Sequence, residues 1–222
     1  MLLQIPAVLS PAEVLAVRTE VGKGTFEDGA GTAGYAARGV KRNLQMAPDS
    51  EAGRKCSALV LDAVRRNATF FSAALPLRVH GPLFNRYEPG MTYGKHVDNA
   101  IMAGTAVRTD VAAPLFLSAP DDYEGGELTV HDSFGAHKVK LAAGSMVVYG
   151  GNSTHHVEPV RRGIRLAAVL WIQSMVRDPA QRLSLFELDL SLGALRERVP
   201  DAPELTTLTA LYHNLLRMWA EN

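Results

Sequence analysis

The chain has 222 residues with 23 basic and 23 acidic side chains, so its net charge is zero with histidine neutral. That balance argues against the broad basic footprint of a nucleic-acid or anionic-membrane binder. One cysteine, Cys56, leaves no internal disulfide framework and no multi-cysteine metal site. A hydrophobic fraction of 47% is enough for one soluble domain with its own core.

The opening stretch MLLQIPAVLSP is apolar but brief, without a basic n-region or a small-residue cleavage site, and no run reaches the ~18 apolar residues of a membrane span. The expectation is a cytoplasmic protein with neither membrane nor nucleic acid as partner. SPAEVLAVRTEV (10–21) then predicts a helix: Ser10 as N-cap, Pro11 at its first position, Glu13 completing a capping box, and Val14, Val17 and Val21 as its buried stripe. The glycine-rich GKGTFEDGAGTAG that follows reads as loop or irregular edge structure. A second helix is expected from about Ser50 to Asn67, with Cys56, Leu59, Val60, Ala63 and Val64 inward. The thiol there is read as buried and inert.

From about residue 77 short apolar runs alternate with Gly, Pro and Asp-rich turns: LRVHGPLFNRYEPG, GKHVDNAIM, APLFLS, GELTV, HKVKL, GSMVVYG, HHVEPV and RLAAVLWIQ. Their lengths predict a sandwich or barrel-like β core, and no βαβ alternation is present. After Gln173 the pattern is helical again. Leu183, Phe186 and Leu190 mark one helix and VPDAP (199–203) ends it. Leu205, Leu208, Leu211, Tyr212, Leu215, Met218 and Trp219 form a last stripe, so that an αα-hairpin is expected to pack on the β core and would suit a homodimer. The expected division is a domain over 1–177 and a helical subdomain over 178–222.

His-x-Asp/Glu on a strand sends two metal-capable side chains to one face. Seven histidines and 23 acids supply about 0.7 such pairs by chance. The chain has two, His96-x-Asp98 and His156-x-Glu158. The first is followed, beyond several strands, by His155, an order that suits a metal held across a folded sheet. Two histidines and a carboxylate leave three coordination positions open, the facial triad of non-haem Fe(II) oxygenases. In the HH doublet, His155 shares its face with Val157 and His156 shares the other with Glu158, so His155 is the inward one. Arg165 opens RLAAVLWIQ, where a guanidinium is costly unless it grips a carboxylate such as that of a dicarboxylic cosubstrate. His80, His131, His137 and His213 read as structural, and Asp122, Glu124 and Glu127 before Gly125-Gly126 as a solvated hairpin. A Zn or Mn enzyme of cupin type, or a metal or ligand sensor without turnover, stays open on the residues alone.

RYEPGMTYGKHVDNAIM, RTDVAAPLFLSAPDDYEGGELTV and HHVEPVRRGIRLAAVLWIQSMVRD resemble the bacterial PKHD-type hydroxylases, Fe(II)- and 2-oxoglutarate-dependent dioxygenases related to prolyl 4-hydroxylases. TAGYAARGVKRNLQM and the helical C-terminus extend the resemblance over nearly the whole chain. It implies a mainly β fold with flanking helices: a double-stranded β-helix (jelly-roll) core, N-terminal helices and a C-terminal helical hairpin. It also implies iron held by His96, Asp98 and His155, the distal carboxylate of 2-oxoglutarate on Arg165, Tyr87 beside the cosubstrate and Tyr93 lining the substrate pocket. O2 would be the second cosubstrate and ascorbate a reductant. Hydroxylation of a prolyl or lysyl side chain in a peptide or protein, a free amino acid or a siderophore-like small molecule would accompany decarboxylation of 2-oxoglutarate to succinate. Ala112, Pro114 and Gly150 depart from the family's usual residues.

Overall fold

Ser10 caps the first helix as its sequence predicts: its hydroxyl accepts from Glu13 N and the Glu13 carboxylate accepts from Ser10 N. In this computed structural model, which describes residues 1–34 and 37–221, Tyr35 and Ala36 of the family-like TAGYAARGVKRNLQM lie outside the described residues. The first third of the chain comprises β1 (Leu2–Ile5), α1 (Pro11–Val21), β2 (Phe26–Asp28), β3 (Lys41–Arg42), β4 (Leu44–Met46), α2 (Glu51–Arg66) and α3 (Ala68–Ala74). Next come β5 (Pro76–Tyr87), β6 (Thr92–His96), β7 (Ile101–Met102), β8 (Val107–Arg108), β9 (Val111–Phe116) and β10 (Tyr123–Gly125). β11 (Leu128–Asp132), β12 (Gly135–Val139), β13 (Met146–Gly150), β14 (His155–Val157), β15 (Val160–Gly163) and β16 (Arg165–Ser174) complete the strands, and α4 (Pro179–Arg198) and α5 (Glu204–Trp219) follow.

The strands build a seven-stranded sheet in the order β1-β13-β9-β16-β5-β4-β2 and a five-stranded sheet in the order β12-β11-β14-β6-β3. Every pairing within them is antiparallel. This is the double-stranded β-helix that the resemblance implied. Period two sorts the central strand β16. Ala168, Leu170 and Ile172 face the core shared with Val17 of α1 and Val60 of α2, whereas Arg165, Val169 and Trp171 face the space between the sheets. On β5 the same alternation turns Leu83, Asn85 and Tyr87 into that space. A second core of Phe116, Leu128, Val130, Val147, Tyr149 and Val157 closes it on one side.

At four places the structure adds to the sequence reading or departs from it. The N-terminal residues form β1 on Met146–Tyr149, because a neighbour's edge can recruit an apolar segment too short to declare itself. The glycine-rich region carries β2, and the residues after it supply β3 and β4, one strand of which joins each sheet. The second helix runs Glu51–Arg66 between the caps Ser50 and Asn67 as expected, and Asn67 also caps a further helix, α3, by accepting from Phe70 N. In α4 the buried face is Arg182, Leu185, Phe186 and Leu192, while Leu190 is 52% exposed. Polar anchors set that rotation: Arg182 donates to Val176 O at 2.7 Å, and Ser72 donates to Asp189 at 2.6 Å. The hairpin sits on α3 and on the residues that flank β5 and β16. Tyr212, Leu215, Leu216 and Trp219 of α5 pack around Leu75, Val176 and Leu185, and Leu211 and Met218 remain exposed. None of the helices among the described residues is long and apolar enough to cross a membrane.

Cys56 is buried as expected, its sulfur 3.6 Å from the Val17 carbonyl oxygen, and burial pushes the thiol up to about 11. The acidic turn is less free than its composition suggests: Asp122 accepts from Arg18 at 2.8 Å, and Glu124 accepts from Arg162 across the β10–β15 pair.

Candidate metal centre

His96 ends β6 and His155 begins β14, and the two are direct register partners in the five-stranded sheet. Their rings lie 4.2 Å apart between centroids. Each ring is oriented from behind by a carbonyl: His96 Nδ1 donates to Gly94 O at 2.8 Å and His155 Nδ1 to Ser153 O at 3.0 Å. A carbonyl only accepts, so Nδ1 carries the proton and Nε2 of both rings presents a lone pair. Asp98 Oδ1 sits 3.8 Å from Nε2 of His96 and 3.7 Å from Nε2 of His155. The three donors thus converge within 4.8 Å of one another, and a single ion can reach all of them. Asp98 lies two residues beyond the end of β6, off the strand, so an extended tail rather than strand alternation carries it to the histidines.

Burial pushes the His96 imidazole down to about 3 and raises the Asp98 carboxyl. A neutral imidazole is the form that ligates, and a carboxylate held out of water without a cation is costly. Burial is the first cause of both shifts, so neither group is held charged by its surroundings. Asp98 Oδ2, the oxygen turned away from the histidines, accepts from Trp171 Nε1 at 2.8 Å. That bond leaves Oδ1 to point at the gap. Sequence reasoning missed Trp171, although it stands six residues after Arg165 and period two places both on one face. Trp171→Phe keeps the ring's bulk and removes the bond, and is expected to weaken metal affinity about tenfold or more, read by competition with a chromophoric chelator.

The donors line a cavity of about 410 Å³ between the sheets. Tyr93 stacks on His96 at 3.6 Å, and Tyr149 meets His155 edge-on at 5.2 Å. Burial raises both phenols and pushes Tyr87 up to about 12, so all three remain hydroxyl donors. Arg165 is 3% exposed, its guanidinium between Tyr87 and Phe116 at 5.2 and 5.5 Å from the ring centroids. Among the described residues its Nε has no hydrogen-bond partner. Gly126, at φ +64°, makes room for it, since a Cβ there would lie 3.1 Å from Arg165 Cδ. All six residues singled out from the sequence, His96, Asp98, His155, Arg165, Tyr87 and Tyr93, border this one cavity. Pro114 also lines it, Ala112 pairs with Tyr149 and Trp171 beside it, and Gly150 opens the loop that brings Ser153 behind His155. His156 faces away, 3.3 Å from His131 and 3.4 Å from Glu158. Lys41, Gln45, Asn85 and His80 line the cavity too, and nothing in their local sequence sets them apart.

The family models and relatives agree with this arrangement. Residues 82–173 match the model of the 2OG-Fe(II) oxygenase superfamily, and residues 179–221 match that of the PKHD-type hydroxylase C-terminal domain. A PKHD-type hydroxylase of Xanthomonas axonopodis pv. citri is 51% identical over the full length of both chains. The chain belongs to the PKHD-type hydroxylase family. A second relative of that name, from Burkholderia ambifaria, is 48% identical, again over all of both chains. Among solved structures, a Pseudomonas putida prolyl-4-hydroxylase aligns with a TM-score of 0.53 at 23% identity, over 78% of this chain and 92% of its own. A Trichoplax adhaerens prolyl hydroxylase, solved with a peptide of hypoxia inducible factor, aligns with a TM-score of 0.56 at 18% identity, over 77% of this chain and 82% of its own. Those two likenesses speak for the fold. Membership makes this PKHD-type hydroxylase a 2-oxoglutarate-dependent dioxygenase, and iron and 2-oxoglutarate are the cofactors its family implies.

Proposed function

We propose that His96, Asp98 and His155 hold the Fe(II), that Arg165 binds the distal carboxylate of 2-oxoglutarate, and that hydroxylation of the substrate is coupled to decarboxylation of 2-oxoglutarate to succinate and CO2. The observation that carries this reading is the pairing, in one cavity, of three convergent donors with a buried guanidinium whose Nε is unpartnered among the described residues. The residues fit both groups: two Nε2 lone pairs and one carboxylate oxygen suit a divalent iron with open positions, and a desolvated planar fork suits a carboxylate. Bound iron would supply oxygen activation and a Lewis-acidic anchor for the cosubstrate.

The protein's own part is positional. Gly94 and Ser153 carbonyls fix the imidazole tautomers, and Trp171 directs the carboxylate. Arg165 at the head of β16 and Trp171 further along the same face set the distance between the cosubstrate's carboxylate end and the metal. The hydroxyl of Tyr87, held protonated, is a donor for the same cosubstrate, and Tyr93 lines the substrate side. Val157, Leu128 and Val169 keep the walls dry, which strengthens each of these contacts. The catalytic unit is proposed to span 1–177, with 178–222 as a helical subdomain that buttresses α3.

Anaerobic addition of Fe(II) and 2-oxoglutarate to metal-free protein tests the assignment. The weak visible charge-transfer band of the chelate is expected in the wild type and absent in His96→Ala and Asp98→Ala. No band in the wild type, together with no succinate in air, would sink the reading.

A further inference from the structure

Lys41 begins β3 and sits opposite Tyr93 in the pairing of β3 with β6. It is 7% exposed and lines the cavity that contains the three metal-capable donors. Its Nζ donates to the Thr32 hydroxyl at 2.7 Å, and that hydroxyl donates to Gln45 Oε1 at 2.6 Å. Nζ also stands 5.1 Å from the centroid of the Tyr93 ring, which stacks on His96. Every one of these neighbours is neutral. Among the described residues the ammonium has no carboxylate within ion-pair distance, and Asp98 and Asp28 act on it only from further away.

A buried ammonium without a counter-ion is expensive, and the fold has no visible need of this one. Bridging Thr32 and covering Tyr93 require a donor and a methylene stem, which an uncharged side chain also supplies. The segment beside it narrows the cavity: Gly31–Gly34 and Val97–Asn99 both line it, and a Cβ on Gly34 would fall 2.3 Å from Asn99 Oδ1. Lys41 therefore meets whatever enters next to Asp98. Charge balance gives the sign of the guest, and this step rests on the proposed iron and 2-oxoglutarate assignment. The metal dication, Asp98, the dianionic cosubstrate and Arg165 neutralise one another. Lys41 is left as one surplus positive charge on a buried stretch of the cavity wall.

We infer that Lys41 is a specificity-determining residue that pairs with a free carboxylate on the substrate, so that the preferred substrate is an acid of amino-acid type. The probe is a set of the common free amino acids, each alongside its carboxamide, added anaerobically to the Fe(II)·2-oxoglutarate complex. Binding beside the metal is read as a perturbation of the charge-transfer band, without turnover. At least one acid is expected to perturb the band, its carboxamide at least tenfold more weakly. Lys41→Met should lose that discrimination while still developing the unperturbed band, and Lys41→Arg should keep part of it.

Acid and amide acting alike, an acid binding Lys41→Met as well as it binds the wild type, or no amino acid perturbing the band at all would each overturn the inference. So would loss of the unperturbed band in folded Lys41→Met, which would give the lysine to the cosubstrate instead. A wild type that develops no band would remove the reading of the metal centre and this inference with it, so the two failures are told apart.

Discussion

His155→Ala is expected to abolish iron binding, whereas His156→Ala leaves the affinity within about twofold. Neighbouring residues on β14 point to opposite sides, and the structure assigns them opposite surroundings. His155 is buried, turned by the Ser153 carbonyl, with Nε2 3.7 Å from Asp98. His156 lies on the outer side, between His131 and Glu158. Removing groups that merely orient a ligand costs about 10–100-fold in metal affinity, so deleting a ligand outright should exceed a hundredfold. Isothermal titration of metal-free protein with Fe(II), kept anaerobic, measures both variants. Tight binding in His155→Ala with loss in His156→Ala would place the strand one residue out of register.

Arg165→Met should separate function from stability. The guanidinium is buried, and among the described residues its Nε is unpartnered and no carboxylate bridges it. Without its ligand it is a desolvated charge that the fold must carry, and apolar replacement of such charges is often neutral or stabilising. Methionine fits between the Tyr87 and Phe116 rings without bringing a charge. The ligand-free variant is therefore expected to melt no lower than wild type, and about 2–4 °C higher for each kcal/mol of burial cost removed. Truncating one side of a desolvated charge pair costs about 2–5 kcal/mol in binding, so the KM for 2-oxoglutarate should rise by roughly thirtyfold or more. Calorimetry and succinate formation against cosubstrate concentration give the two numbers. An unchanged KM would remove Arg165 from the cosubstrate site, and a large fall in melting temperature would make it a structural residue.

Much of the metal centre was legible because its chemistry is written in rare residue types at short spacing. His96-x-Asp98, the inward member of the HH doublet, and an arginine at the head of an apolar strand each stand out against the background of their segment. The residues that support them do not. Trp171 sits in an apolar run where a tryptophan reads as core, and only the pairing of β16 with β9 and β5 aims its Nε1 at Asp98. Lys41 follows a glycine-rich stretch and looks like any surface lysine until β3 adds to the edge of β6 and buries it. The α4 face was misread for a related reason: Arg182 and Asp189 are polar residues that find partners, and an apolar stripe cannot announce them.

By itself the sequence determined what depends on near neighbours. Capping chemistry placed α1, alternation marked the strands of the β core, and the identity of His155 over His156 followed from the apolar residue two positions on. Family resemblance added the class of reaction. What required the tertiary structure was everything set by contacts between distant segments: the recruitment of β1, β3 and β4 by sheet edges, the seat of the C-terminal hairpin on α3, and the second layer around the donors. Backbone periodicity is local and survives in a string of letters. Burial of a charge or the aim of an indole depends on which strands become neighbours, and that is decided only when the two sheets close over the cavity.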